Sequence, residues 1–468
     1  MRTYHLDLAV KMPLYEQLYR AIRQDIISGV LQGGERLPSK RRLAEHLEVS
    51  QITVETAYSQ LLAEGYLVSK PRSGYFVQQF ERPEAVPAAP RKIIRHEPAK
   101  ANFRYDFKTN IVDTDCFPFS TWARLLRGEL TDKASKLLEV TPPQGVPELR
   151  EEICRYLAEF RGIAVQPEQV VVGAGSEYLL NLIIQLLGRE RVYSLENPGY
   201  PKLDWIFRAG GTQVAPIALD GQGLRVDLLR ASASSVVYLT PSHHFPLGVV
   251  MPAARRMAVL QWAEEGEDRY IIEDDYDSEF RYASRPIPAM KELDHADRVI
   301  YLNTFAKSLA PSLRIGYMVL PYRLLDTFCS RFGFYSSTVP SFEQYTLARF
   351  LSTGSFERHV SRIRNLYKAR RDALLVALRQ SRLASMLRIS GAEAGLHILL
   401  TATNGMSETE MIQAAAREGV HVYGLSGYYV ASRDLCPPST VILGYAGIRA
   451  EEFADAAACL ERAWLPNR

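Results

Sequence analysis

The chain has 468 residues, of which 47% are hydrophobic and 23% charged, enough to bury the cores of two or three domains and too apolar for extended disorder. Its 56 Lys plus Arg nearly balance 53 Asp plus Glu, and a net charge of +3 excludes a protein that coats nucleic acid along its whole length. Cys116, Cys154, Cys329, Cys436 and Cys459 are dispersed without CxxC or Cys/His spacing, no apolar run approaches the roughly 18 residues of a membrane span, and the first residues are no signal peptide. The expectation is a soluble, cytoplasmic, multidomain protein with neither a disulfide framework nor a metal site.

The first segment, residues 1–77, reads as a winged helix-turn-helix. Leu14, Leu18, Ile22 and Ile26 recur every four residues and predict an amphipathic helix ending near Gly29. Ser39 can cap a short helix, KRRLAEHL, and Ser50 a third, QITVETAYSQLLAEG. In that third helix Val54, Ala57, Tyr58, Leu61 and Leu62 form the buried stripe, leaving Gln51, Glu55 and Ser59 outward. YLVSKPRSGYFV then predicts two short strands around a basic tip. Residues 78–104 carry four prolines and no sustained period, the composition of a linker.

From residue 105 to 468, continuous apolar runs alternate with helical patterns. Expected strands are 169–173, 191–196, 235–240, 270–275, 298–303 and 314–321, suited to a mainly parallel sheet buried on both faces. A smaller C-terminal lobe is expected over about 355–468.

Three constellations fall where an open α/β sheet places ligands, at the C-terminal ends of strands. Gly173-Ala174-Gly175-Ser176-Glu177 runs from a strand into a helix, whose amides and Ser176 hydroxyl suit a phosphate. Glu273-Asp274-Asp275-Tyr276-Asp277 follows a strand; a carboxylate there can keep a pyridine nitrogen protonated. Lys307 follows Thr304 and precedes Arg314 by seven residues, an amine for an aldehyde beside a hydroxyl and guanidinium for a phosphate. Each motif alone is ordinary: a surface lysine, a charged loop, a common Gly-rich turn.

In this order and spacing, joined by Pro143-Gln144-Gly145, Glu196-Asn197-Pro198-Gly199-Tyr200 and Thr240-Pro241-Ser242-His243-His244-Phe245-Pro246-Leu247-Gly248, they resemble the fold-type I aminotransferases that depend on pyridoxal 5′-phosphate (PLP). LPSKRRLAEHLEVSQITV and EGYLVSKPRSGYFV resemble GntR-type winged helix domains, and the join of the two halves resembles the MocR/GabR family of bacterial transcriptional regulators. The resemblance implies a multidomain α/β chain, an N-terminal winged helix-turn-helix followed by a fold-type I aminotransferase-like domain. It implies that Lys307 carries PLP, Asp274 pairs with its ring nitrogen, Tyr276 approaches its phenolic oxygen and Tyr200 lies against its face. Ser176, Thr304, Arg314 and the backbone of Gly175 and Glu177 would hold its phosphate. A homodimer displaying two winged domains is implied as well.

The departures from the aminotransferase pattern bear on function. Phe245 stands where an Asn commonly touches the cofactor oxygen, and Ala306 replaces a hydroxyl before the lysine. Ile442 stands where an Arg usually forks onto an α-carboxylate, a contact an apolar side chain cannot supply. Lys202 offers a point charge near Tyr200. The expectation is a non-enzymatic regulator, without catalytic residues, that senses PLP supply, as in the branch controlling vitamin B6 synthesis. The alternatives are a regulator answering to an amino compound through PLP, or an active aminotransferase with an accessory DNA-binding domain.

At the DNA end, Lys40, Arg41, Arg42, Lys70 and Arg72 suit phosphate contacts, while Ser50, Gln51 and Thr53 would face base edges or phosphate. Gly74 would let the wing approach the minor groove closely. Glu55 could accept from a cytosine amine or orient Arg41. The first 80 residues hold only ten Lys plus Arg against eight Asp plus Glu, so useful affinity for double-stranded DNA calls for an operator with two half-sites.

Overall fold

The computed structural model describes residues 2–7, 9–79, 102–109, 111–132, 135–282 and 288–465. Most of the expected linker therefore lies outside the described residues. Two compact units emerge, residues 1–99 and 100–468.

In the first unit, α1 (Leu14–Ser28) stops at Gly29, whose φ of 83° suits a residue without a Cβ. Ser39 and Ser50 cap α2 (Lys40–Leu47) and α3 (Gln51–Ala63), accepting from the Arg42 and Thr53 amides. Strands β1 (Leu67–Lys70) and β2 (Gly74–Val77) pair antiparallel as the wing. Leu18, Ile22, Ile26, Leu43, Val54, Ala57, Tyr58 and Leu61 share one core, so the four-residue stripe of α1 and that of α3 meet each other. Leu14 and Leu62, expected in the same stripes, are only half-buried.

In the second unit, β3 (Tyr105–Asp106), α4 (Phe119–Asp132) and α5 (Pro147–Arg161) precede β4 (Val170–Gly173) and α6 (Ser176–Leu187). There follow β5 (Val192–Asn197), α7 (Pro201–Ala209), β6 (Gln213–Asp220), β7 (Gly223–Leu224) and α8 (Val226–Ala231). Next come β8 (Val236–Leu239), α9 (Ala253–Glu264), β9 (Tyr270–Asp274), β10 (Val299–Thr304) and β11 (Gly316–Val319). Strands β4 to β11 form one sheet in the order β4-β11-β10-β9-β8-β5-β6-β7. Its central run, β10-β9-β8-β5-β6, is parallel, whereas β11 is antiparallel to both neighbours. Adjacent residues of a strand enter opposite cores: Ile271 joins the side covered by α8 and α9, Ile272 the side covered by α6 and α7. That two-sided burial is why the strands read as unbroken apolar runs. Strand β6, with Pro216 and a half-exposed pattern, lacks such a run and escapes sequence reading.

Helices α10 (Leu325–Phe332) and α11 (Ser341–Ser352) lead to the 26-residue α12 (Ser355–Gln380). Phe356 of α12 packs in the large-sheet core, and Tyr367, Leu374 and Leu378 in the core of the smaller lobe. That lobe contains β12 (Leu387–Ser390), β13 (His397–Ala402), α13 (Glu408–Arg417), β14 (Val420–His421), β15 (Tyr423–Gly424), β16 (Thr440–Gly444) and α14 (Phe453–Trp464). Its sheet runs β12-β13-β16-β15, and β14 pairs with β3. Tyr105, Phe107 and Val112 thereby enter the small-lobe core, though the sequence assigns that lobe to the C-terminal residues alone. Among the described residues no helix is long and apolar enough to cross a membrane.

Candidate cofactor site and DNA-contact face

The ends of β4, β9 and β10, with the turn before β11, converge on one corner of the large sheet. Gly175 lies between β4 and α6 with φ 84°, and a Cβ there would sit 2.9 Å from Arg314 Nη2. Only glycine lets the backbone approach the guanidinium so closely. Arg314, itself left-handed at φ 52°, donates to the Ala174 carbonyl at 3.3 Å and to Glu177 Oε2 at 3.4 Å. Lys202 Nζ, on α7, donates to Glu177 Oε1. The Thr304 hydroxyl donates to the Ile315 carbonyl at 3.2 Å and accepts from the Ala306 amide at 3.1 Å.

Asp274 closes β9 and accepts a hydrogen bond from the Tyr238 hydroxyl of β8. Its Oδ1 is buried with no hydrogen-bond partner, and desolvation pushes its carboxyl up to about 7. The Tyr276 hydroxyl lies 3.3 Å from His243 Nδ1, which is 2.7 Å from Asp277 Oδ2. Burial pushes the Lys307 amine down to about 8, with Asp277 and Asp274 opposing. Tyr200 stands exposed at the start of α7 with its ring edge-on to Phe245, 5.9 Å between centroids.

Gly175, Ser176, Glu177, Tyr200, Asp274, Tyr276, Thr304, Lys307 and Arg314 all line one cavity of about 250 Å³. Two further polar residues line it, Tyr238, which the sequence does not single out, and Glu196, which it places in a matching segment without a role. Tyr238 sits inside an apolar strand and reads as core. Glu196 accepts from the Thr240 amide at 2.9 Å and hydroxyl at 2.7 Å, and burial pushes it up to about 7. The available signal was a polar group on a strand otherwise buried on both faces.

Among the described residues, the cationic side chains lining the cavity are Lys202, Lys307 and Arg314. Ile442 does not line it: fully buried on β16, it packs against Leu399, Leu425 and Tyr429. The Phe245 ring packs edge-on against His397 and Tyr428 as well as Tyr200.

Residues 106–459 match the family of class I and II aminotransferases, and residues 14–77 match the gntR family of bacterial regulatory proteins. YdeL, an uncharacterized HTH-type transcriptional regulator of Bacillus subtilis, is 40% identical over 463 residues, with 99% of each chain covered. The probable rhizopine catabolism regulatory protein MocR of Rhizobium meliloti is 36% identical, with 98% of this chain and 95% of that protein covered. The chain belongs to the MocR-type family of GntR regulators. In that family, the HTH-type pyridoxine biosynthesis transcriptional regulator PdxR of Corynebacterium glutamicum is 31% identical, with 88% of each chain covered. Kynurenine aminotransferase of Pyrococcus horikoshii superposes with a TM-score of 0.67 at 27% identity, covering 78% of this chain and 91% of that one. As a MocR-type regulator, the chain is a DNA-binding transcriptional regulator with an aminotransferase-like domain.

On the winged unit, Arg41, Arg42, Gln51, Lys70 and Arg72 are exposed, and Arg72 at the wing tip is left-handed with φ 59°. Lys40 and Thr53 are half-buried. Gly74, at φ 106°, backs onto the Arg36 guanidinium, a neighbour the sequence did not single out. The Ser50 hydroxyl is engaged by its cap and by Thr53 Oγ1 at 2.8 Å. The expectation that Glu55 could orient Arg41 is corrected: Glu55 Oε1 bonds Lys40 Nζ at 2.5 Å, and Arg41 bonds Glu45 one turn along α2 at 2.9 Å. The i,i+4 spacing within one helix wins for Arg41 because it needs no partner helix. Ile52, 74% exposed on α3, is a further candidate for the DNA face.

Proposed function

We propose that this regulator reports PLP supply: PLP enters the cavity, and its occupancy changes the engagement of the winged unit with DNA. Pyridoxal 5′-phosphate is the cofactor of the aminotransferase-like domain. When bound, it supplies an electrophilic carbonyl and an electron-withdrawing ring. The residues fit it. Arg314, Ser176 and Thr304, with the backbone of Gly175 and Glu177, hold the phosphate. Asp274 turns its unpartnered Oδ1 to a protonated ring nitrogen, and Tyr276 attends the phenolic oxygen. Tyr200 covers one ring face, and Lys307 presents an amine that desolvation keeps partly neutral.

The observation that carries the sensing reading is the cavity's cation inventory. Lys202 and Arg314 already share Glu177, Lys307 serves the carbonyl, and Ile442 is sealed into an apolar cluster. Among the described residues lining the cavity, no guanidinium besides Arg314 is left to clamp an α-carboxylate, a contact that would otherwise supply a strong share of amino-acid affinity. Control of vitamin B6 synthesis genes draws support from the relative named for pyridoxine biosynthesis. A second reading, an amino-compound effector acting through PLP, is favoured by the relative named for rhizopine catabolism. A third is an active aminotransferase, since Lys307, Asp274 and Tyr276 are the groups a transamination half-reaction needs.

On the DNA side, Arg41, Arg42, Lys70 and Arg72 contact phosphates, Lys40 is held back from one by its ion pair with Glu55, and Gln51 and Thr53 lie at base edges. A cytoplasmic homodimer would bring two winged units to an operator of two half-sites. The test is operator-region binding by the full chain and by Lys307→Ala, with PLP and with amino compounds. PLP-dependent affinity in the wild type, lost in the variant, supports the reading. A response only when an amino compound is added replaces it with the second, and sustained turnover with a keto acid defeats both.

A further inference from the structure

We propose that the Glu177 carboxylate is a built-in competitor for the PLP phosphate, one that occupies Arg314 and Lys202 and sets an exchangeable rather than a permanent hold on the cofactor. The inference rests on the PLP reading above and concerns what this chain adds to it.

Glu177 is the second residue of α6, at the helix N-terminus that suits an anion. Its two oxygens are divided between the two cations of the cavity rim, Oε1 bonded to Lys202 Nζ and Oε2 3.4 Å from Arg314 Nη2. The Lys202 hydrogen bond, followed by the charges of Lys202 and Arg314, holds the Glu177 carboxyl below its ordinary range, so it is ionised at neutral pH. One carboxylate thus meets the guanidinium assigned to the phosphate. A dianionic phosphate arriving at Arg314 either displaces that carboxylate or stands beside it, and both outcomes cost affinity.

Lys202 has a separate role. All three side chains are partly exposed, Glu177 and Lys202 at 42% and Arg314 at 50%, so the carboxylate can leave Arg314 without being buried unpaired. Lys202 holds the displaced carboxylate aside while phosphate takes Arg314. A sensor needs such reversibility, because a site that never releases PLP reports nothing about supply.

The test is equilibrium titration of the cofactor-free full chain with PLP and with pyridoxal, which lacks the phosphate, followed by absorption. Glu177→Gln should tighten PLP by about tenfold, the scale of removing one like charge at a partly exposed site, while pyridoxal changes by less than about twofold. Lys202→Met should weaken PLP several-fold in the wild type and have no effect in the Glu177→Gln background, since its role runs through that carboxylate. An unchanged or weaker PLP affinity in Glu177→Gln, or equal tightening of pyridoxal, overturns the competitor while leaving the cofactor reading standing. A wild-type chain that takes up neither compound overturns the cofactor reading and the competitor with it.

Discussion

Covalent capture of PLP by Lys307 should accelerate as pH rises, with its midpoint near 8, and level off above about 9. The amine is pushed down to about 8 from an ordinary 10.5 because burial outweighs the carboxylates of Asp277 and Asp274. At pH 7.5 roughly a quarter of it is then neutral, against about one part in a thousand for an unperturbed lysine, so the supply of nucleophile is about 200-fold larger. Asp277 contributes the larger of the two opposing effects, so Asp277→Asn should move the midpoint to lower pH. The assay is rapid mixing of cofactor-free protein with PLP from pH about 6 to about 10, following the visible band, with Lys307→Ala as the blank. A rate that keeps climbing towards pH 10, or a midpoint raised by Asp277→Asn, would refute the reasoning. Stability carries the same sign. Between about 8 and 10.5 the unfolded chain holds more protons at this lysine than the folded one, so the cofactor-free protein gains stability as pH rises through that window. Below about 8 both states hold the proton and the desolvation penalty is fully present.

Arg161→Met should destabilise the cofactor-free protein by about 3–5 kcal/mol, because it strands Asp275 without its buried partner. The pair is 2.7 Å apart with side chains 3% and 0% exposed, and Tyr301 also donates to Asp275. Adding Asp275→Asn should restore most of the loss in urea unfolding, and a single-variant loss below about 1 kcal/mol would contradict the buried-pair account. In the winged unit, Glu55→Gln should free Lys40 for a phosphate, raising DNA affinity and steepening the slope of log K against log salt by about 0.9. An unaltered slope would show that Lys40 does not reach DNA.

Sequence and structure divide according to how far apart the interacting residues lie. Gly175 with Ser176, Thr304 with Lys307 and Arg314, and Asp274 with Tyr276 are legible because each set spans one strand end and the turn after it. Spacing along ten or so residues is enough to aim them at a single corner, and the structure does bring them to one cavity. The apolar runs were legible for the same reason, since Ile271 and Ile272 are each buried whichever way they point. Partner choice was not legible. Tyr238 meets Asp274 because β8 and β9 are neighbours, Lys202 meets Glu177 because α6 and α7 share a sheet face, and Lys40 takes Glu55 across two helices. The antiparallel insertion of β11 between β4 and β10, and the docking of Tyr105 and Phe107 into the far lobe, likewise depend on segments distant in the chain. Hydrophobic period reports whether a side chain is buried, not against what. The sequence by itself thus determined the two-part architecture and the chemistry carried at each strand end. Only the tertiary structure decided which charges are already matched, because electrostatic pairing depends on distance in space, and that is set by sheet order and helix packing.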